Sequence, residues 1–193
     1  MTLTEQIAYQ HSEIARRSWE RRGRLVPRIW AQGADRMIVA EPRDEKAVSE
    51  TTDEYRTTMA IAMACRIDAL AIGRCDEALS WSPADGSPMR KYNRKLARTD
   101  PTVRTCVVTE AVALGGSEEI TIIAKHGLDD TGQHLWDVSE TRNSTMATLV
   151  PLWAARNLID EGPSEIWRDQ IALDQFSEQI RWEVRQFPEI VTW

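Results

Sequence analysis

The chain has 193 residues, a formal net charge of −6 at pH 7, 42% hydrophobic and 28% charged content, and three cysteines. This composition suits a single globular domain and excludes a disordered chain, and the longest apolar stretch, Met59 to Cys65, is too short to span a bilayer. The acidic balance argues against a general nucleic-acid binder, while three thiols without a CxxC pair and an N-terminus without a signal-peptide core point to the cytoplasm.

Thr2 followed by Glu5 has capping-box spacing, and Leu3, Ile7 and Ile14 recur at helical intervals, so a first helix is expected over about Thr4 to Arg22, stopped by Gly23. Leu25 to Trp30 and Met37 to Ala40 are β-prone runs around Gln32-Gly33-Ala34-Asp35, which reads as a hairpin over 25–40, with Pro27 marking an edge strand. Asp44 is placed to cap a long helix over 44–66 whose buried stripe would be Val48, Thr52, Tyr55, Met59, Ala62 and Arg66. The apolar run after it, 69–75, is expected to return to the centre of the sheet.

Residues 81–101 hold Pro83, Asp85-Gly86 and Pro88 and read as a long loop. A meander follows over 103–139: strands at Val103 to Thr109, Glu119 to His126 and Gln133 to Ser139, with turns at Gly115-Gly116-Ser117 and Asp129-Asp130-Thr131-Gly132. Ser144 or Thr145 could open a helix through Ile159, with Pro151 in its first turn or kinking it, and Gly162-Pro163 as the stop. A last helix is expected from Ser164 to Phe187, with Trp167, Ile171, Leu173, Phe176, Ile180, Val184 and Phe187 on its apolar face. The whole is a single α+β domain over 1–193. Its mixed, largely antiparallel sheet of about five or six strands is packed by helices from the N-terminal, 44–66 and C-terminal segments, the last spanning 144–187.

Four groups of residues bear on function. Arg16, Arg17, Arg21, Arg22, Arg24 and Arg28 make the first helix basic around Trp19, although Arg16/Glu20/Arg24 and Glu13/Arg17/Arg21 have intrahelical ion-pair spacing. Arg90, Lys91, Arg94, Lys95 and Arg98 form a second basic cluster in the loop. His126 and His134 flank the Asp129-Asp130 turn without any zinc-site spacing, so no metal is assigned. Asp76, Glu77 and Glu110 could place carboxylates at a sheet end for acid–base work, or hold Arg74 and Arg104.

No GxSxG, phosphate-binding glycine loop or Rossmann fingerprint occurs, so no catalytic residue and no cofactor is assigned. Eight tryptophans against two phenylalanines raise the expectation of an association surface. The leading expectation is a non-enzymatic interaction or assembly protein, of the size of a bacteriophage-type structural or accessory factor, with a protein partner or self-association. Its contact residues would be Arg21, Arg22, Arg90, Lys91, Arg94, Lys95, Trp182 and Trp193, with the tail at Ile190 to Trp193 packed against its own core or a neighbour. Alternatives are a hydrolase built on the carboxylates or the histidine pair, and a nucleic-acid binder using the first helix and the basic loop.

Overall fold

A computed structural model describes residues 1–81, 103–143, 155–159 and 165–188. The expected first helix is α1, Leu3–Arg22. Its capping box forms as read: the Thr2 hydroxyl accepts from the Glu5 amide, and the Glu5 carboxylate accepts from the Thr2 amide at 2.6 Å. Gly23 ends it in the left-handed region, φ 66°, where a Cβ would be strained, and donates its N–H to the Trp19 carbonyl at 2.7 Å. The buried stripe of α1, Thr4, Ala8, His11 and Ala15, repeats every three or four residues.

The strands are β1, Arg28–Gln32, β2, Met37–Pro42, β3, Ala71–Trp81, β4, Val103–Ala113, β5, Glu119–Leu128, β6, His134–Arg142, and β7, Trp182–Phe187. They form one seven-stranded sheet in the order β6-β5-β4-β3-β1-β2-β7, antiparallel at every pairing. The expected hairpin and meander are both present, and β3 occupies the centre. It is longer than expected, so β3 to β6 make one continuous meander. Pro27 precedes β1 and removes no ladder hydrogen bond, so β1 lies inside the sheet between β3 and β2 rather than at an edge.

Between β2 and β3 the expected single helix is two: α2, Glu45–Glu50, and α3, Asp53–Ile67. Thr51 is extended, and Thr52 becomes the N-cap of α3, its hydroxyl accepting from the Tyr55 amide. Two adjacent β-branched residues with capping hydroxyls favour this break. Thr51 rather than Thr52 is therefore the buried one. The two helices cross from β2 to β3, which run parallel to each other on either side of β1.

The last expected helix is also divided. A 3-10 turn at Glu165–Arg168 leads into α4, Gln170–Gln179, after which Arg181 adopts φ 58° and the chain turns into β7 beside β2. Ile180, Val184 and Phe187 fit a helical stripe, but Trp182 and Val184 also alternate with Glu183 and Arg185, and pairing with β2 favours the strand. Of the helix expected from 144, only 155–159 lies within the described residues, and it is helical. The loop at 82–101, Pro151 and the tail at 190–193 lie outside them. No helix among the described residues is long and apolar enough to cross a membrane.

The sheet is packed on both faces. On one, Ile7, Ala8 and Ala15 of α1 meet Trp30, Val39, Ala111, Ile122 and Ala124. On the other, Met59, Ala62, Met63 and Ile67 of α3, with Leu173 of α4, meet Ile29, Ile38, Ala40, Ile72 and Trp182. Alternation along each strand assigns neighbours to opposite layers, as Ile29, Trp30 and Ala31 show.

Candidate functional site

α1 is fastened along the outer strand β6. Glu5 pairs with Arg142, the Tyr9 hydroxyl donates to Glu140, and the Trp136 indole donates to Glu20 at 2.7 Å. Trp19, one turn from the end of α1, lies on the β5–β6 hairpin. Its ring is 4.1 Å from the His126 ring and meets Trp136 edge-on at 5.7 Å. His126 Nε2 and His134 Nδ1 stand 2.7 Å apart. The two histidines thus bond to each other beneath a tryptophan, and the described residues contain no group of three side chains suited to a metal. Burial, then proximity to His134, keep the His126 imidazole below its usual range, against an opposing pull from Glu20.

Asp76 and Glu110 share the opposite face with Arg74, to which Arg56 of α3 is added. Arg74 is 3% exposed and Glu110 2%. Arg56 Nη1 contacts both Asp76 oxygens at 2.9 and 3.0 Å, whereas Arg74 Nε stands 3.8 Å from Asp76 and 3.8 Å from Glu110, and its Nη1 3.8 Å from Asp53. Those longer contacts are ion pairs rather than hydrogen bonds. Burial raises the Asp76 carboxyl despite both arginines and lowers the Arg74 guanidinium. The network ties α3 to β3 and β4. Glu77 points to the α1 side, where its carboxylate accepts the Leu25 amide at 2.9 Å, so the three carboxylates do not converge. Arg74 takes the pairing role anticipated for it. Arg104 pairs with none of these three carboxylates, and donates weakly to the His126 carbonyl at 3.5 Å.

The basic first helix resolves into separate contacts. Arg17 pairs with Glu13 as its spacing implies, but Arg24 pairs with Glu45, and Arg28 with Glu41 at 2.7 Å. Glu20 serves Trp136 instead of Arg16 or Arg24. Arg21 and Arg22 are exposed and without an ion-pair partner among the described residues. They stand where α1 ends beside the β5–β6 hairpin. Around the edge, on the face turned away from α1, an open trough of about 500 Å³ is lined by Ser80, Arg104, Lys125, Leu128, Leu135 and Asp137. Leu128 and Leu135 are 59% and 53% exposed. Trp81 and Val103 pair at this same end of the sheet.

Arg90, Lys91, Arg94, Lys95 and Trp193 lie outside the described residues. Trp182 is a correction: it is fully buried between β2 and α4, its indole donating to the Thr51 hydroxyl at 2.8 Å, because the strand conformation of β7 turns it into the core. Trp19 likewise spends its ring on the hairpin and is not free to stack on a base. The trough went unread in the sequence, since Arg104, Lys125 and Leu135 come together only through the register of β4, β5 and β6. No protein-family model, curated protein or solved structure matches this chain.

Proposed function

We propose that the protein is a non-enzymatic interaction or assembly factor of the cytoplasm that takes an acidic protein partner at the end of the sheet where α1 meets the β5–β6 hairpin. The observation that supports this is the trough: Arg104 and Lys125 have no ion pair there among the described residues, and Leu128 and Leu135 are exposed beside them. The two cations beside Leu128 and Leu135, with Asp137 as the one anion among the described lining residues, suit an acidic segment with apolar anchors, and Arg21 and Arg22, without an ion pair among the described residues, extend the same sign around the rim. β6 adds a free edge among the described residues, its outer backbone groups open to strand addition. A hydrolase is less well supported, because Asp76 lies in an ion pair with Arg56 and Glu77 faces the other way.

Light scattering on the purified chain and cross-linked co-purification from its native host test the proposal together. The expected result is a self-association or a discrete partner that disappears in the Arg104→Glu, Leu135→Glu double variant, while thermal unfolding stays unchanged. A strict monomer with no cross-linked partner would overturn it, as would an association indifferent to those substitutions. Nucleic-acid binding is the second reading, favoured by the four cations at one end. It requires affinity that falls steeply with salt and drops on replacing Arg21 and Arg22 by Ala.

A further inference from the structure

The contact between His126 and His134 exists only in some protonation states. At 2.7 Å, one ring nitrogen donates and the other accepts. The bond survives with the pair neutral, and with one added proton, since one acceptor nitrogen remains. With both rings protonated there is no acceptor, and two cations face each other. We propose that the His126–His134 pair is a proton-operated latch, which seats the β5–β6 hairpin on the C-terminal end of α1 and releases it when both imidazoles are charged.

The surroundings give the latch something to hold. His126 packs against Trp19 of α1 at 4.1 Å and Trp136 of β6 at 5.0 Å, and Trp19 meets the His134 ring edge-on at 6.1 Å. Losing the histidine bond loosens all three aromatic contacts. The hairpin turn itself is braced, because Asp129 Oδ1 accepts the Thr131 and Gln133 amides at 2.8 Å each, so the hairpin leaves as a unit. The charged groups around His126 are Glu20 from α1, Arg104 from β4 and His134 from β6. Burial, then His134, oppose a proton on His126, Glu20 favours one, and Arg104 opposes it. Once one ring is charged, the second proton must arrive beside that charge and break the shared bond. The closed pair therefore takes up its second proton less readily than the open one. The latch is intact above the ordinary imidazole pKa of about 6.5 and weakens as pH falls below it. Its opening constant should rise by up to about tenfold per pH unit until the closed pair's own lower value is reached. The device stands whether or not this end of the sheet binds a partner.

The test is an NMR titration of the full chain, following the imidazole Cε1–H signals together with amide exchange in β5 and β6. Expected are two coupled histidine steps, the lower one accompanied by hairpin-amide protection factors, corrected for the base-catalysed intrinsic rate, that fall by up to about tenfold per unit decrease in pH while those of β1 and β3 hold. In His134→Gln, the His126 midpoint should rise and hairpin exchange should lose its added pH dependence. Two independent titrations at the ordinary imidazole value would overturn the latch. So would hairpin protection that is flat through the lower step, or that falls only together with β1 and β3, which marks global unfolding.

Discussion

Among the described residues, tryptophan and histidine rings meet at two places along α1, and the two differ in what surrounds them. Near its middle, His11 lies flat on Trp30, ring centroids 4.6 Å apart and planes within 7°. Both are sealed, and Gly73 of β3, paired with Trp30, leaves the floor open for the indole because a Cβ there would collide with the ring. Near its end, Trp19 leans on His126 at the rim of the sheet, in reach of water. The same pair of ring types is a fixed support in one place and a protonation-dependent contact in the other. Burial decides which.

The largest expected effect is at the sealed contact. Trp30→Ala should cost about 3–5 kcal/mol of folding stability by urea titration, through lost burial and a cavity that β1 and α1 cannot both close. Gly73→Ala should act at the same place from the opposite direction, costing about 1–3 kcal/mol by overpacking. A loss well under 1 kcal/mol in both would break the picture of a tightly supported indole. Across the sheet, Arg74→Met should also cost a few kcal/mol, about 3–5 for removal of one partner from a buried ion pair, because it leaves Glu110 and Asp76 with less compensating charge.

Acid distinguishes the two histidines more finely. Burial holds the His11 imidazole well below its usual range, with Arg28 adding to the shift. Its folded pKa is depressed, so the stability it contributes is complete above the unfolded value of about 6.5 and is lost as pH falls from there toward the folded one. Stability-versus-pH curves should show this decline in the parent chain and a smaller one in His11→Gln compared with its own neutral-pH value. Equal slopes would mean that His11 is not the group responsible. The smallest effect belongs to the rim: Glu20→Gln keeps an acceptor for the Trp136 indole but removes its charge, and should cost about 0.5–1.5 kcal/mol.

Much of this architecture can be read from local chemistry. The capping box of α1, Gly23 after it, and the Asp129-to-Gly132 turn each carry their signal within a few residues, and each element stands where expected. β7 was hidden because Ile180, Val184 and Phe187 satisfy the helical period while Trp182 and Val184 satisfy the strand period, and only a free edge on β2 decides between them. The helix break at Thr51 and Thr52 rests on capping hydroxyls that also fit a helix interior. At the candidate site, the closeness of His126 and His134 follows from hairpin spacing. Trp19 as their cover does not, because it comes from an element more than a hundred positions earlier, and Arg56 reaches Asp76 only once α3 has crossed the sheet.

The fastening of α1 to β6 has a consequence for biosynthesis. Tyr9 reaches Glu140 across 131 positions and Glu20 reaches Trp136 across 116, and the apolar stripe of α1 rests on Ala111, Ile122 and Ala124 of β4 and β5, so α1 has no complete seat until those distant strands have been made. Contacts this distant in sequence slow the search for the native state and leave an amphipathic segment waiting with its apolar stripe uncovered. A nascent chain stalled before β4 should accordingly bind chaperone through α1, and one stalled after β6 should not.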